Sequence, residues 1–331
     1  MQTIIAFLSI IAMMLASAFA QAINKNQRIG AGALFVGVTP YTELFTGEII
    51  KRFDRVHDWL SEIPTANNYV KHNAIHLVDI GADPQVLIDN TTYPISSVYR
   101  DDQDVIIALH KYDTQNTKIS DDELYTASYD KIGSVLDRHS AVLQDNYGMH
   151  GLHSLATNSA SASTPIIETS GPVVDGRNRL IWADLVNFKS ALDTLKVPLF
   201  DRLLVLCNEH VNDLLMDTAA QTFRDRYFQT ETGKVLPMLS FKMYENTYNP
   251  VYTALNVKKA FGAAAAPSTD RNASTFIVKS RARRALGETA MYYKEAATDP
   301  DNRETRVGFR QYGLVLPVKS EGFGAIVSKR A

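Results

Sequence analysis

The sequence predicts an α+β protein organised around one long helix. Three observations carry that expectation. Residues 66–118 are polar text broken by short β-like runs, residues 121–147 form a capped helical pattern, and helices alternate with strands from residue 181 onward. Composition agrees with a folded chain. Of 331 residues, 45 % are hydrophobic and 21 % charged, which is too apolar for a disordered polymer. At roughly 150 residues per domain the length suggests about two domains. Lys and Arg number 34 against 36 Asp and Glu, and the net charge of -2 argues against electrostatic steering to nucleic acid. The single cysteine, Cys207, excludes an intramolecular disulfide and a cysteine-based zinc site.

The chain opens with an apolar run over residues 4–15 in which only Ser9 is polar. It is too short to span a bilayer, which takes about 20 apolar residues. Ala18-Phe19-Ala20 supplies an A-x-A cleavage site, but no Lys or Arg precedes the run. Two readings stay open: a cleaved secretory signal, or an apolar arm buried against the same or a neighbouring subunit. Residues 21–40 are rich in Gly and Ala and read as an extended arm. Residues 42–63 then carry Phe45, Ile49, Phe53, Val56, Trp59 and Leu60 at helical spacing, and Pro64 stops the run.

Within 66–118 the β-like runs are 74–78, 86–88 and 105–109. Gly81-Ala82-Asp83-Pro84, Asp89-Asn90 and Arg100-Asp101-Asp102 separate them as turns. The pattern is a long hairpin with an irregular tip. A two-stranded hairpin is marginal in water by itself, so another surface is expected to hold it. Ser120-Asp121-Asp122-Glu123 is a capping box. The helix it opens runs over residues 121–147 to a stop at Gly148, about 40 Å at the helical rise.

A Ser/Ala/Thr-rich stretch at 157–164, followed by Gly171-Pro172 and Asp175-Gly176, marks a boundary. Beyond it lie a helix at 182–196, a fully apolar strand at 202–207 suited to a sheet centre, and a helix capped by Asn208. Strands are expected at 235–245, 275–279, 291–295, 306–318 and 323–328, with a basic helical turn at 281–286.

Familiar catalytic signatures are missing. There is no P-loop, no G-x-S-x-G and no H-E-x-x-H, and Gly30-Ala31-Gly32-Ala33 lacks the third glycine of a dinucleotide loop. His139, His150 and His153 lie near one helix end, where surface histidines suit the helix dipole better than a metal site without further ligands. Cys207 with His210 could suggest a thiol nucleophile, but Cys207 ends an apolar strand and is expected to be buried. No catalytic, cofactor-binding or metal-binding residue is assigned. Arg281, Arg283 and Arg284, set against the acidic runs Asp101, Asp102, Asp104 and Asp299, Asp301, Glu304, fit charge complementarity across an interface. The candidate inter-subunit contacts are therefore Arg100, Asp101, Asp102, Asp104, Arg281, Arg283 and Arg284.

The order of parts resembles the major capsid protein of tailed double-stranded DNA bacteriophages, a fold shared with encapsulins and the herpesvirus capsid floor. Three stretches carry the likeness: Arg202-Leu203-Leu204-Val205-Leu206-Cys207-Asn208-Glu209-His210-Val211, then Gly233-Lys234-Val235 through Tyr244-Glu245-Asn246, and Arg310-Gln311-Tyr312-Gly313-Leu314-Val315-Leu316-Pro317-Val318 with Gly324-Ala325-Ile326-Val327. The resemblance implies an apolar segment and arm at 1–40, an N-terminal helix at 41–65 and an extended loop at 66–118. It implies a peripheral domain with a spine helix at 119–180, an α/β axial domain at 181–280, and strands at 281–331 completing both. It further implies a non-enzymatic, self-assembling subunit, forming hexamers and pentamers of an icosahedral shell around packaged DNA that it contacts non-specifically. Portal and decoration proteins would be further partners, membranes would not, and assembly would take place in the bacterial host cytoplasm. Lys71 and Lys111 lie in or near the loop, but no cross-link is assigned. The alternatives are an encapsulin-type compartment shell and a secreted binding protein with a cleaved signal peptide.

Overall fold

The computed structural model describes residues 57–330, apart from 72–73, 80–84, 98, 127–130, 218–227, 230–233, 236, 238, 265 and 267. All of them belong to one unit, Arg52–Ala331. The apolar segment, the arm and most of the 42–63 helix lie outside the described residues. The end of that pattern is a 3-10 turn, Asp58–Glu62, which buries Trp59 and Leu60 as the apolar spacing requires.

Strands β1 (Val70–Lys71), β2 (Ala74–Asp79) and β3 (Gln103–Ala108) form a three-stranded antiparallel ladder. The β2–β3 register runs from Ala74 opposite Ala108 to Asp79 opposite Gln103, so the expected hairpin exists. Its return limb continues into β4 (His110–Asp113) and β5 (Thr117–Ser120), which leave the hairpin and pair with a distant strand. Helix α1 (Asp121–Thr126) follows. Its capping box forms: Ser120 Oγ accepts the Glu123 amide at 3.3 Å, and the Ser120 amide acts on the Glu123 carboxylate in return.

Helix α2 (Lys131–Leu155) does not stop at Gly148. Gly148 and Gly151 are positions of close approach rather than terminators. A Cβ on Gly148 would collide with the His57 ring, and one on Gly151 would sit 2.9 Å from Val315 Cγ2. The sequence signal for a C-terminal stop is therefore a packing signal here.

After β6 (Ile166–Glu168) and the small hairpin β7 (Val173–Val174) and β8 (Arg177–Asn178), helix α3 (Trp182–Thr194) begins as expected. Strand β9 (Arg202–Cys207) is buried at every position. Helix α4 (Asn208–Met216) starts directly at Asn208, which is its first helical residue rather than its cap. A minor pair, β10 (Phe228–Gln229) and β11 (Lys234–Val235), precedes β12 (Lys242–Asn246). The strand expected over 235–245 is broken because Leu239 and Ser240 take left-handed backbone, with φ of 50° and 66°.

The remaining strands are β13 (Val251–Tyr252), β14 (Arg271–Val278), β15 (Ala282–Lys294), β16 (Glu304–Pro317) and β17 (Gly324–Val327). The basic helical turn expected at 281–286 is corrected to a 3-10 turn, Lys279–Arg281, followed at once by β15. Ala282 and Ala285 are fully buried in a long antiparallel ladder with β16, which overrides local helix propensity.

Two main sheets result. One has strand order β12-β9-β14-β17-β6, with β13 beside β14, and β9 lies at its interior between parallel β12 and antiparallel β14. This sheet takes β6 from before residue 181 and β17 from near the C-terminus. The other sheet is β15-β16-β4, with β5 on the outer part of β16. One continuous core joins the end of α2 to the first sheet through Leu152, Leu155, Phe188, Leu204, Phe276 and Ile326. Fully burying such side chains contributes about 1.5–3 kcal/mol each.

Candidate assembly surface

The extended hairpin departs most from what a soluble monomer needs. Its root is satisfied. Ile75 is fully buried and packs with Leu109, Ala285, Leu314 and Leu316, so β15 and β16 provide the surface that the flanking sequence does not. Beyond the root, the described residues between 85 and 102 form no regular structure. The run 86–88, which reads as β-like, is not a strand. Val86 is 87 % exposed, Ile88 85 % and Tyr99 100 %, and Leu87, Tyr93, Ile95 and Ile106 are also exposed.

Single exposed apolar residues are ordinary, but a group on one projecting segment marks an interaction surface. At about 25 cal/mol per Å² of apolar area, leaving these side chains in water forfeits several kcal/mol that a partner would recover. Sequence reading located the hairpin and missed these residues, because three apolar residues in a row signal a strand as readily as an interface.

Charged candidates occupy the same limb and a distant edge. Arg100 and Asp101 are exposed, and Arg100 Nε donates to Asp102 Oδ1 at 2.7 Å. An exposed pair of this kind contributes little to folding. Asp104 lies in β3 opposite Val78. Arg281 donates to the Glu321 carbonyl at 2.7 Å and faces its carboxylate at 3.3 Å. Arg283 donates to the carbonyls of Ser280 and Ala282. Arg284 is half-buried and donates to the Ile63 carbonyl at 3.2 Å, while its backbone is clamped by Pro64 and Ala66. Consecutive strand residues point to opposite faces, so Arg283 and Arg284 share no surface. Arg284 thus has an internal tie, and Arg100, Asp101 and Asp102 are the candidates that share the exposed limb. Lys111 belongs to β4 and pairs with Asp113 at 2.6 Å; Lys111 and Arg310 hold that carboxyl below its usual range.

Histidines prove structural rather than surface residues. His139 is buried between Thr114 Oγ1 at 2.9 Å and Thr117 Oγ1 at 2.7 Å, and burial lowers its pKa. His150 meets the Tyr112 hydroxyl at 2.7 Å, and His153 Nε2 donates to the Lys259 carbonyl at 2.8 Å. His139 is thus separated from the other two by its own partners, and among the described residues no group of three or more His, Cys, Asp or Glu is placed to hold a metal ion. Cys207 is buried, and burial pushes its thiol up to about 12. His210 is fully buried between Ser274 Oγ at 2.6 Å and Ser328 Oγ at 2.9 Å, and burial lowers it to about 4. The thiol is thus an inert core group rather than a nucleophile. No helix among the described residues is long and apolar enough to cross a membrane.

No family model matches the sequence, and no curated protein matches it. Solved structures do match. The capsid of Ralstonia phage GP4 aligns with a TM-score of 0.59 at 8 % identity, over 82 % of this chain and 87 % of that one. The capsid of cyanophage P-SCSP1u aligns at 0.56 with 14 % identity, over 80 % and 84 %. A structure of Mycobacterium phage Che8 aligns at 0.55 with 12 % identity, over 81 % and 90 %. At these identities the likeness is one of architecture: the chain carries the α+β capsid fold of tailed bacteriophages, with its extended hairpin, long helix and α/β sheet.

Proposed function

We propose that this chain is a non-enzymatic structural subunit that assembles with copies of itself into a closed icosahedral shell. The observation that carries the reading is a capsid fold whose hairpin displays Val86, Leu87, Ile88, Tyr93, Ile95 and Tyr99 to solvent. A neighbouring copy is the occupant such a surface fits, because identical head-to-tail contacts close into rings. Residues 66–118 act as the extended loop, 119–180 with the spine helix as the peripheral part, and 181–280 as the axial part. Residues 281–331 supply strands to both. Arg100, Asp101, Asp102 and Asp104 set the register of the loop on its neighbour, and Arg281 and Arg283 offer positive charge on another edge.

The assembled state is the virion capsid, built in the host cell around double-stranded DNA. The near balance of charge suits a subunit present in many copies, since a large net charge would make the copies repel each other. Portal and decoration proteins are the further partners of this reading.

Electron microscopy and sedimentation of the purified full chain test it. Closed isometric particles of megadalton mass are expected. A chain that stays monomeric under all assembly conditions, with residues 85–102 protected from solvent, would overturn it. Particles that hold a cargo enzyme instead of DNA would move the reading to a compartment shell.

A further inference from the structure

Three imidazoles and a lysine meet at the C-terminal end of α2. His110 comes from β4, His150 and His153 from the last turns of α2, and Lys258 from the loop after β13. The His110 and His150 rings stand edge to face with centroids 4.8 Å apart. Phe261 lies against both His150 and His153, at 4.9 and 5.6 Å. Lys258 Nζ donates to the carbonyls of His153 at 2.8 Å and Ala156 at 2.7 Å, groups that a helix end leaves open. His153 in turn donates to the Lys259 carbonyl, so helix and loop are stitched in both directions.

The carboxylates nearby are engaged elsewhere. Asp270 binds Lys259 Nζ and the Ala266 amide. Asp113 binds Lys111 and Arg310. Asp145 faces His57. Glu209 lines the same 440 Å³ cavity as His153 and is held by Asn272 and Arg177. The charged groups that act on His150 are all cationic, namely His110, His153 and Lys258, and the Tyr112 hydroxyl beside it is kept protonated by burial.

Burial lowers Lys258 to about 8, and the open carbonyls and dipole of the helix end receive its charge near neutral pH. Below the ordinary imidazole range, protons would add to His150 and His153, which both pack on Phe261 and both feel the Lys258 charge. Like charges in a partly buried cluster repel far more than in water. A loop that has left the helix binds those protons more readily, so by linkage acid favours departure.

We propose that this cluster is an acid-released latch: proton uptake by His150 and His153 detaches the 258–261 loop from the end of α2, while the sheet centred on β9 stays intact. The Lys258 amide reports on it, because it bonds to the carbonyl of Asn158, just beyond the end of α2, at 2.8 Å.

The test is hydrogen–deuterium exchange on the full chain at pH 7.5 and 5.5, corrected for intrinsic exchange. In the unmodified chain the Lys258 amide should lose protection about tenfold at the lower pH, while the β9 amides, although weakened through His210, stay far better protected than it. His150→Gln, which keeps a polar partner for Tyr112 without the charge, should hold its protection at pH 5.5. His153→Gln, which can still donate to the Lys259 carbonyl, should reduce the loss. Equal protection at both pH values in the unmodified chain would overturn the latch, and so would an undiminished loss in both variants. If His150→Gln exposes β9 already at pH 7.5, the His153→Gln result decides alone.

Discussion

Leu203, Leu204, Val205 and Leu206 are completely buried, whereas Val86, Leu87 and Ile88 stand in solvent. The two runs are alike in composition and opposite in fate. The first sits between two strands, with α4 following it back across the sheet. The second lies beyond the last paired residues of a hairpin, where none of the described residues buries it. Apolar sequence thus stabilises the subunit in one region and, on the proposed function, meets a neighbouring copy in the other. On that reading fold and assembly draw on separate residues, and substitutions can separate them.

The largest effect on the subunit belongs to the sheet core. Phe276 packs at right angles to Phe188 and Phe241 with centroids 5.5 and 5.7 Å away. Phe276→Ala should cost about 3–5 kcal/mol, read from urea unfolding of dissociated subunits. A loss under about 1 kcal/mol would show that this region is not the one that holds the fold.

Acid should act on the same region. His210 is neutral in the folded chain down to about pH 4, and takes a proton near 6.5 when unfolded. The unfolded state therefore binds more protons between those values, so stability is full above 6.5 and falls as pH drops toward 4. The loss is on the order of 3 kcal/mol for this group. His210→Asn should flatten that slope, which a pH series of unfolding midpoints would show.

Gly148→Ala tests the packing of α2 against the turn that begins at His57. The added methyl meets the buried His57 ring, and relief should cost about 1–3 kcal/mol. A stabilised variant, as expected for alanine at an unconstrained helix position, would mean that Gly148 has no packing role. Arg100→Ala should be smallest, within about 0.5 kcal/mol of the unmodified subunit in thermal unfolding, because its pair with Asp102 is exposed.

How much of this was legible follows from where each signal originates. The capping box at Ser120, the apolar strand at 202–207 and the hairpin at 74–108 were readable because local pattern and tertiary context agree there. Gly148 misled because glycine serves both helix ends and close contacts, and only the position of His57 decides between them. The 281–286 segment misled because its ladder partner lies in β16, far along the chain. The charged candidates were found by their clustering, yet Arg284 is occupied by Ile63, a contact that no spacing rule encodes. The exposed apolar residues of the loop were hidden by the same alternation-free run that correctly identified β9.

A triple substitution in the loop separates the two regions directly. Val86→Ser, Ile88→Ser and Tyr99→Ser in one chain remove the three most exposed apolar side chains of the described residues between 85 and 102. Thermal unfolding and particle yield are then measured on the same preparation. The subunit should unfold within a degree or two of the unmodified chain, as expected for surface changes of about 0.5 kcal/mol or less each, while closed particles are lost. A large fall in unfolding temperature with particles formed as before would contradict the division between a region that folds the subunit and a region that joins it to the next.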